Sequence, residues 1–138
     1  MPIDCWVDAH RKRICAVVRG EFSIDDIVHA IDTAIHDPAF ERGFDIFSDH
    51  TQVTRNISTQ QVKFTSAHLA RLSDHLVGSR WAVVTGSELS YGMMRMLSAH
   101  LDQASVTLRV FRSSKDAEAW LAKPNPARPE EHERGTTT

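Results

Sequence analysis

The run Arg80-Trp-Ala-Val-Val-Thr85-Gly86-Ser87 decides the class of this chain. Trp81 to Val84 is apolar at every position, so neither face of the segment is set aside for water. A strand of that kind belongs inside a parallel sheet covered on both faces. Gly86 then turns the chain, and Leu89, Met93, Met96, Leu97 and Leu101 recur at helical spacing. A buried strand that feeds a helix is the repeating unit of an α/β fold, because parallel strands need a crossover between them.

The rest of the chain repeats the unit. Upstream, Ile3, Cys5 and Val7 alternate with polar residues, and Ile14 to Val18 is continuously apolar. These read as strands Ile3–Asp8 and Arg13–Arg19. Their connection, Ala9-His-Arg-Lys12, lacks Gly and Pro, which predicts a hairpin loop of roughly three to five residues. A loop centred on His10 would set Cys5 across from Cys15, as two reduced, small apolar side chains. Gly20 ends the second strand. Ser23 with Asp26 reads as a capping box. Ile24, Ile27, Val28, Ile31 and Ile35 follow on one helical face, and Asp37-Pro38 stops that helix.

Phe44 to Ser48 reads as the third strand, ending at Asp49. Ser58 with Gln61 opens a long helix to about Val77, with Val62, Leu69, Leu72 and Leu76 inward and Gly78 as its stop. Val106 to Phe111 alternates, which suits an edge strand. Ser113 with Asp116 caps a last helix docked by Ala117, Trp120 and Leu121. The predicted fold is therefore one α/β domain over residues 1–122, in the order β-β-α-β-α-β-α-β-α. Its five-stranded mixed sheet has the first strand antiparallel and the rest parallel. Residues 123–138 hold three prolines and no large apolar residue, and read as a polar, flexible tail.

Composition narrows the function classes. The 138 residues carry a net charge of −2 and are 41% hydrophobic, as an ordinary globular domain is. That balance excludes a surface built to neutralise nucleic-acid phosphates. No apolar run approaches the roughly 18 residues that span a bilayer, so no stable membrane insertion is expected. Asp4 and Asp8 interrupt the start of the chain, which leaves no signal peptide to read. Two cysteines make no disulfide framework, and the expected location is the cytoplasm.

Catalytic and metal signals are thin. His29/His36 and His68/His75 are each seven apart, which puts donors roughly 10.5 Å apart along a helix, too far for one zinc ion. There is no C-x-x-C, no G-x-G-x-x-G and no P-loop. Gly86-Ser-Glu-Leu misses the G-x-S-x-G elbow, so Ser87 reads as a helix cap. No metal and no cofactor is expected. Asp25-Asp26 suits the first turn of a helix. Tyr91 and Met94 fall off the apolar stripe of their helix, three apart on a neighbouring face. With Met93 and Trp81 they could line an apolar groove or a dimer contact, with Arg95 beside them for an acidic group.

Several blocks together resemble the SpoIIAA-like, STAS/SEC14-type bacterial family. They are Val18-Arg-Gly-Glu-Phe-Ser, Phe44-Asp-Ile-Phe-Ser-Asp49, Arg80 to Thr85, Tyr91-Gly-Met-Met-Arg-Met96 and Val110-Phe-Arg-Ser-Ser-Lys-Asp-Ala-Glu-Ala-Trp-Leu121. The resemblance covers about Val18 to Leu121. It implies a small α/β sheet domain with its helices largely on one side, and it does not imply an enzyme. Related STAS domains are phosphorylation-switched partners of kinases and sigma-factor regulators, and SEC14-type relatives bind lipids. Related antagonists carry an Asp and a phosphorylatable Ser where strand three meets a helix. Here the run is Asp49-His-Thr-Gln, without the Ser-Ser-Gly pattern. Thr51 is the nearest hydroxyl, and Ser58 stands at the next predicted helix start, where a phosphate would meet free N–H groups.

The expectation is thus a non-enzymatic, STAS-like protein-interaction or regulatory module, a candidate homodimer, whose partner surface runs from Asp49 through Thr51 to Ser58. The alternative is a SEC14-like carrier of a lipid or other small apolar ligand, held by Trp81, Tyr91, Met93, Met94 and Arg95.

Overall fold

The computed structural model describes residues 3–55, 73–100 and 106–125, together with positions 60 and 67. Strands β1 (Ile3–Asp8) and β2 (Arg13–Glu21) form an antiparallel hairpin. Helix α1 (Ile24–Ile35) leads to β3 (Asp45–Arg55), and the helical turn α2 (Ser73–Leu76) precedes β4 (Arg80–Thr85). Helix α3 (Glu88–His100) leads to β5 (Thr107–Phe111), and α4 (Ser114–Ala122) follows. The sheet order is β1-β2-β3-β4-β5, with every pair after the hairpin parallel.

This in-order sheet fixes where the helices go. The three parallel steps all advance in the same direction, and right-handed crossovers then put their helices on one face. Ile27, Ile31, Leu76, Met94 and Leu97 from α1, α2 and α3 accordingly join one buried cluster with Ile14, Ile46, Trp81 and Leu108. Helix α4 comes after the last strand and is free of that constraint. It packs on the opposite face, with Ala117 and Leu121 against Ala82 and Val84. The β1 side of that second face is open, and Trp6 there is 49% exposed. Strand order never reverses, so the sheet lacks the switch-point crevice where doubly wound folds bind ligands.

Local capping follows the sequence. Ser23 Oγ accepts the Asp26 N–H at 3.2 Å while Asp26 Oδ2 accepts the Ser23 N–H at 2.9 Å. Ser113 Oγ accepts the Asp116 N–H at 3.2 Å, and Ser87 Oγ accepts the Ser90 N–H at 3.1 Å. Each such cap is worth about 1 kcal/mol. Strand β5 is an edge, and Ser98 Oγ donates to the Leu108 carbonyl at 2.8 Å, which blunts it.

Helix α4 is held down by charge. The Arg80 guanidinium lies against Asp45, with Nη2 to Oδ2 at 2.7 Å. It also donates to the carbonyls of Trp120 at 3.2 Å, Leu121 at 3.1 Å and Lys123 at 2.7 Å. One buried arginine therefore satisfies the open C-terminal carbonyls of a helix. Arg13 reaches Glu118 with both carboxylate oxygens, at 2.8 and 2.9 Å. Asn125 then donates to the Gly78 carbonyl at 2.7 Å.

Four local expectations change. Strand β3 runs through Arg55 instead of ending at Asp49. Its added residues Thr51, Val53 and Thr54 are β-branched, and β2 extends past Gly20 to give them a pairing partner. The hairpin loop holds an even number of residues, Ala9 to Lys12, because Asp8 pairs with Arg13. Cys5 therefore faces Ala16, and Cys15 faces Trp6. A slip of one residue moves a side chain to the other face, so the two thiols lie on opposite sides of the sheet and cannot bond. The stripe of α3 is centred on Met94 and Leu97, both 3% exposed, and Leu89 is 65% exposed. Of the helix expected over 58–77, positions 60 and 67 and Ser73–Leu76 are helical, and Leu76 is fully buried. Ser58, Gln61, Val62, Leu69 and Leu72 lie outside the described residues, as do Leu101 and residues 126–138 of the tail.

Candidate functional site

A cleft of about 240 Å³ opens between edge strand β1 and helix α1. Its origin is a difference in side-chain size along α1. Ile27, Ile31 and Ile35 turn toward the sheet centre and are buried. The neighbouring positions Ala30, Thr33 and Ala34 are small, and they face β1 across the cleft. On β1 the alternation brings Ile3, Cys5 and Val7 to the same side. The helix thus covers the edge strand without filling the space above it.

The cleft meets an inner apolar slot at Ile3, Cys5 and Ala30. The slot runs among Ile14, Val18, Ile31 and Ile46 to a floor where Ser48, His50 and Trp81 meet. Its free volume is about 20 Å³, room for about one water. At the floor, Trp81 Nε1 donates to Ser48 Oγ at 2.9 Å. Ser48 Oγ is 3.1 Å from His50 Nε2. The contact joins the Ser48 hydroxyl to the His50 ring, and the tautomer of His50 decides which of the two donates. Burial pushes the His50 pKa down to about 4, opposed by the Asp49 carboxylate. Phe22 meets its ring edge-on at 5.9 Å between centroids.

Ser48 and His50 have the separation of a nucleophile and a base, but not the surroundings. His50 so depressed is a weak base at neutral pH. Ser48 is 2% exposed, and its oxygen already accepts the Trp81 indole N–H. Cys5 sits between cleft and slot with Sγ 3.7 Å from the Ala30 carbonyl. Burial, with a smaller contribution from Cys15, pushes its thiol up to about 11. Burial raises Cys15 as well. Both are held as thiols, not as nucleophilic thiolates.

The carboxyl rim of the sheet is closed where the sequence pointed to a partner surface. Thr51 lies within β3, and its N–H and hydroxyl both donate to Asp49 Oδ1, at 2.8 and 2.6 Å. The Thr51 backbone covers Gly86 so closely that a Cβ there would lie 2.9 Å from the Thr51 carbonyl. Only glycine fits this approach. A phosphate on Thr51 would stand beside the Asp49 carboxylate, which its hydroxyl now meets at 2.6 Å. Ser58 lies outside the described residues.

The residues expected to form one apolar groove are separated. Trp81 and Met94 are buried in the main core, and Met93 packs partly buried against it. Tyr91 lies outside, at the far edge. The Arg112 guanidinium stacks on its ring at 3.8 Å while binding both carboxylate oxygens of Glu88, at 2.8 and 3.0 Å. That hydrogen bonding holds the Glu88 carboxyl below its ordinary value and raises Arg112. Arg95 lies 5.9 Å from the same ring. Tyr91 and Arg95 share a polar hollow with Ser98 beside β5. Of the expected ligand residues, Trp81 alone lines the slot under the cleft.

Among the described residues no group of three or more His, Cys, Asp or Glu is placed to hold a metal ion. None of the described helices is long and apolar enough to cross a membrane. No protein-family model, curated protein or solved structure matches this chain.

Proposed function

We propose that this chain is a non-catalytic binding protein, and that its ligand is a small, mainly apolar molecule seated between β1 and α1. The carrying observation is the cleft itself, about 240 Å³, with Ile3, Cys5, Val7, Ala30 and Ala34 as its apolar part. The cleft is open to solvent beside the packed core, so an occupant can enter without displacing core side chains. At about 240 Å³ it is below the size of most drug-like sites and suits a small ligand. The carrier reading of the sequence thus gains support, at a place other than the helix it pointed to. The STAS-like interaction-module reading rests on sequence resemblance, and the exposed Trp6 on the open half-face is the observation in its favour.

The test is a filled cleft. Ala30→Leu places a larger side chain where cleft and slot meet, at a site with room for it. Saturation-transfer NMR with 1-hexanol should show binding to the wild-type chain. Binding by the variant should be at least about tenfold weaker, with a thermal midpoint within a few degrees of wild type. Equal binding by both proteins, or no binding by the wild type, contradicts the proposal.

A further inference from the structure

Strand β5 is the other edge of the sheet, and its free side carries a definite set of unused backbone groups. The Thr107 N–H donates to the Ser79 carbonyl at 3.0 Å, and the Phe111 carbonyl accepts the Thr85 hydroxyl at 3.4 Å. Thr107, Arg109 and Phe111 therefore turn their backbone groups toward β4, and the alternate residues Leu108 and Val110 turn theirs outward. The Leu108 carbonyl accepts the Ser98 hydroxyl at 2.8 Å. The Leu108 N–H and both backbone groups of Val110 then face outward with no strand beside them. A hollow of about 350 Å³ lies along this side, lined by Leu108, Arg109 and Val110 and by Tyr91, Arg95 and Ser98 of α3.

The charge beside this edge is positive on both faces of the sheet. Arg109 is exposed on the α4 face, 5.5 Å from the Phe111 ring and 5.5 Å from the Trp120 ring. Arg95 is exposed on the α3 face, 5.9 Å from the Tyr91 ring. Among the described residues neither arginine meets a carboxylate, and no carboxylate lines the hollow. Arg112, next along, is already bound by Glu88. Pairing β5 with the β5 of a second copy would set the arginines of both chains against one another across the seam, where like charges are destabilising. An acidic strand meets them with the opposite charge.

From the open edge and the two unpaired arginines we infer that β5 docks an extended acidic segment of a partner protein. The segment adds as a further strand, bonds to Leu108 and Val110, and sends carboxylates to Arg109 on one face and to Arg95 on the other. Side chains of an added strand alternate between faces, so acidic residues at adjacent positions reach both arginines. The main-chain bonds supply affinity for any extended chain, and the arginines select its charge. Both guanidinium groups are in contact with water, so binding weakens as salt rises. The edge lies across the sheet from the cleft and is independent of the ligand proposed there.

The experiment is a calorimetric titration of the full chain at low salt with a blocked peptide of sequence TEEVTEEV, which carries glutamates on both faces when extended. It should bind at least about tenfold tighter than the lysine counterpart TKKVTKKV, because the edge charge is one-signed. It should also bind at least about tenfold tighter than its own fully N-methylated form, which keeps the charge and cannot add as a strand. Bound peptide should slow amide hydrogen exchange at Leu108 and Val110 at least about tenfold. Arg95→Gln and Arg109→Gln should each weaken the acidic peptide about threefold, as loss of one exposed ion pair does, with a thermal midpoint within a few degrees of wild type. Equal binding by the lysine or the N-methylated peptide, slowed exchange elsewhere than β5, or no binding at all overturns the inference. Protection of Leu108 and Val110 as strong before peptide is added assigns the edge to this chain or a second copy of it, and overturns the inference as well.

Discussion

Replacing Arg80 with alanine should lower the stability of this protein by about 3–5 kcal/mol, the range for removing one partner of a buried ion pair. The side chain is one-tenth exposed, and Asp45 opposite it is buried deeper. Its removal takes the guanidinium away from the buried Asp45 carboxylate, which keeps the backbone N–H of residue 80 at 3.1 Å. It also removes the side-chain donor from the Leu121 and Lys123 carbonyls at the end of α4, while the Trp120 carbonyl keeps the Lys123 N–H at 3.3 Å. Each buried acceptor so lost costs about 1–3 kcal/mol unless water reaches it. Arg80→Lys should recover only part of the loss, because an ammonium cannot reproduce the planar fork that serves Asp45 and the helix end together. Urea denaturation measures both. For a chain of this size the alanine variant should also melt about 10–20 °C lower. A loss under about 1 kcal/mol would mean that α4 is anchored by its apolar contacts alone. Helix α4 lies on the face away from the cleft, so below the melting transition hexanol binding should not change.

Acidification should produce the second large effect, through His50. Its folded pKa, about 4, lies below the ordinary histidine value of 6.5. The folded state therefore binds fewer protons than the unfolded chain across that interval. The stability linked to neutral His50 is whole above about pH 6.5, declines as pH falls through the window, and is gone by about pH 4. The total is on the order of 3 kcal/mol. His50→Gln keeps a hydrogen-bonding partner for Ser48 and cannot titrate. Its stability should fall less than that of the wild type between pH 7 and pH 4, by an amount of that order. Carboxylates titrate in both proteins and cancel in the difference. Parallel stability curves for the two would show that His50 is not held neutral by its burial.

Both residues illustrate what was legible in the sequence and what was not. Periodicity exposed the strands and helices because burial on one face or two leaves a pattern in a short window. Trp81 to Val84 and the isoleucines of α1 are such cases. Caps at Ser23, Ser87 and Ser113 were legible because the partner is three residues away in sequence. Arg80 and Asp45 were not, because each is a charge at the start of an apolar strand and their pairing depends on neighbouring strands 35 residues apart. The signal was present, in the form of charged first residues on two consecutive buried strands.

The site was less legible than the fold. Phase along α3 was misread by one position, which moved Met94 from a surface groove into the core. The length of β3 was underestimated because Asp49 and His50 are polar, although His50 is 3% exposed and bonded to Ser48 two residues before it. The cleft leaves almost no trace in a single segment. It exists because Ala30, Thr33 and Ala34 meet the alternating Ile3, Cys5 and Val7 of a strand far earlier in the chain. Small residues beside an isoleucine stripe were the only local hint.

Amide shift mapping with 1-hexanol tests the central claim most directly, because it locates the ligand without assuming its class. The account predicts that the largest perturbations fall on Ile3 to Val7 and on Ala30 to Ala34, and that the Trp81 indole N–H moves as the slot below the cleft responds. Perturbations centred instead on Thr51, Gly86 and Arg112 at the closed rim, or none above the level seen with an equal amount of methanol, would contradict it.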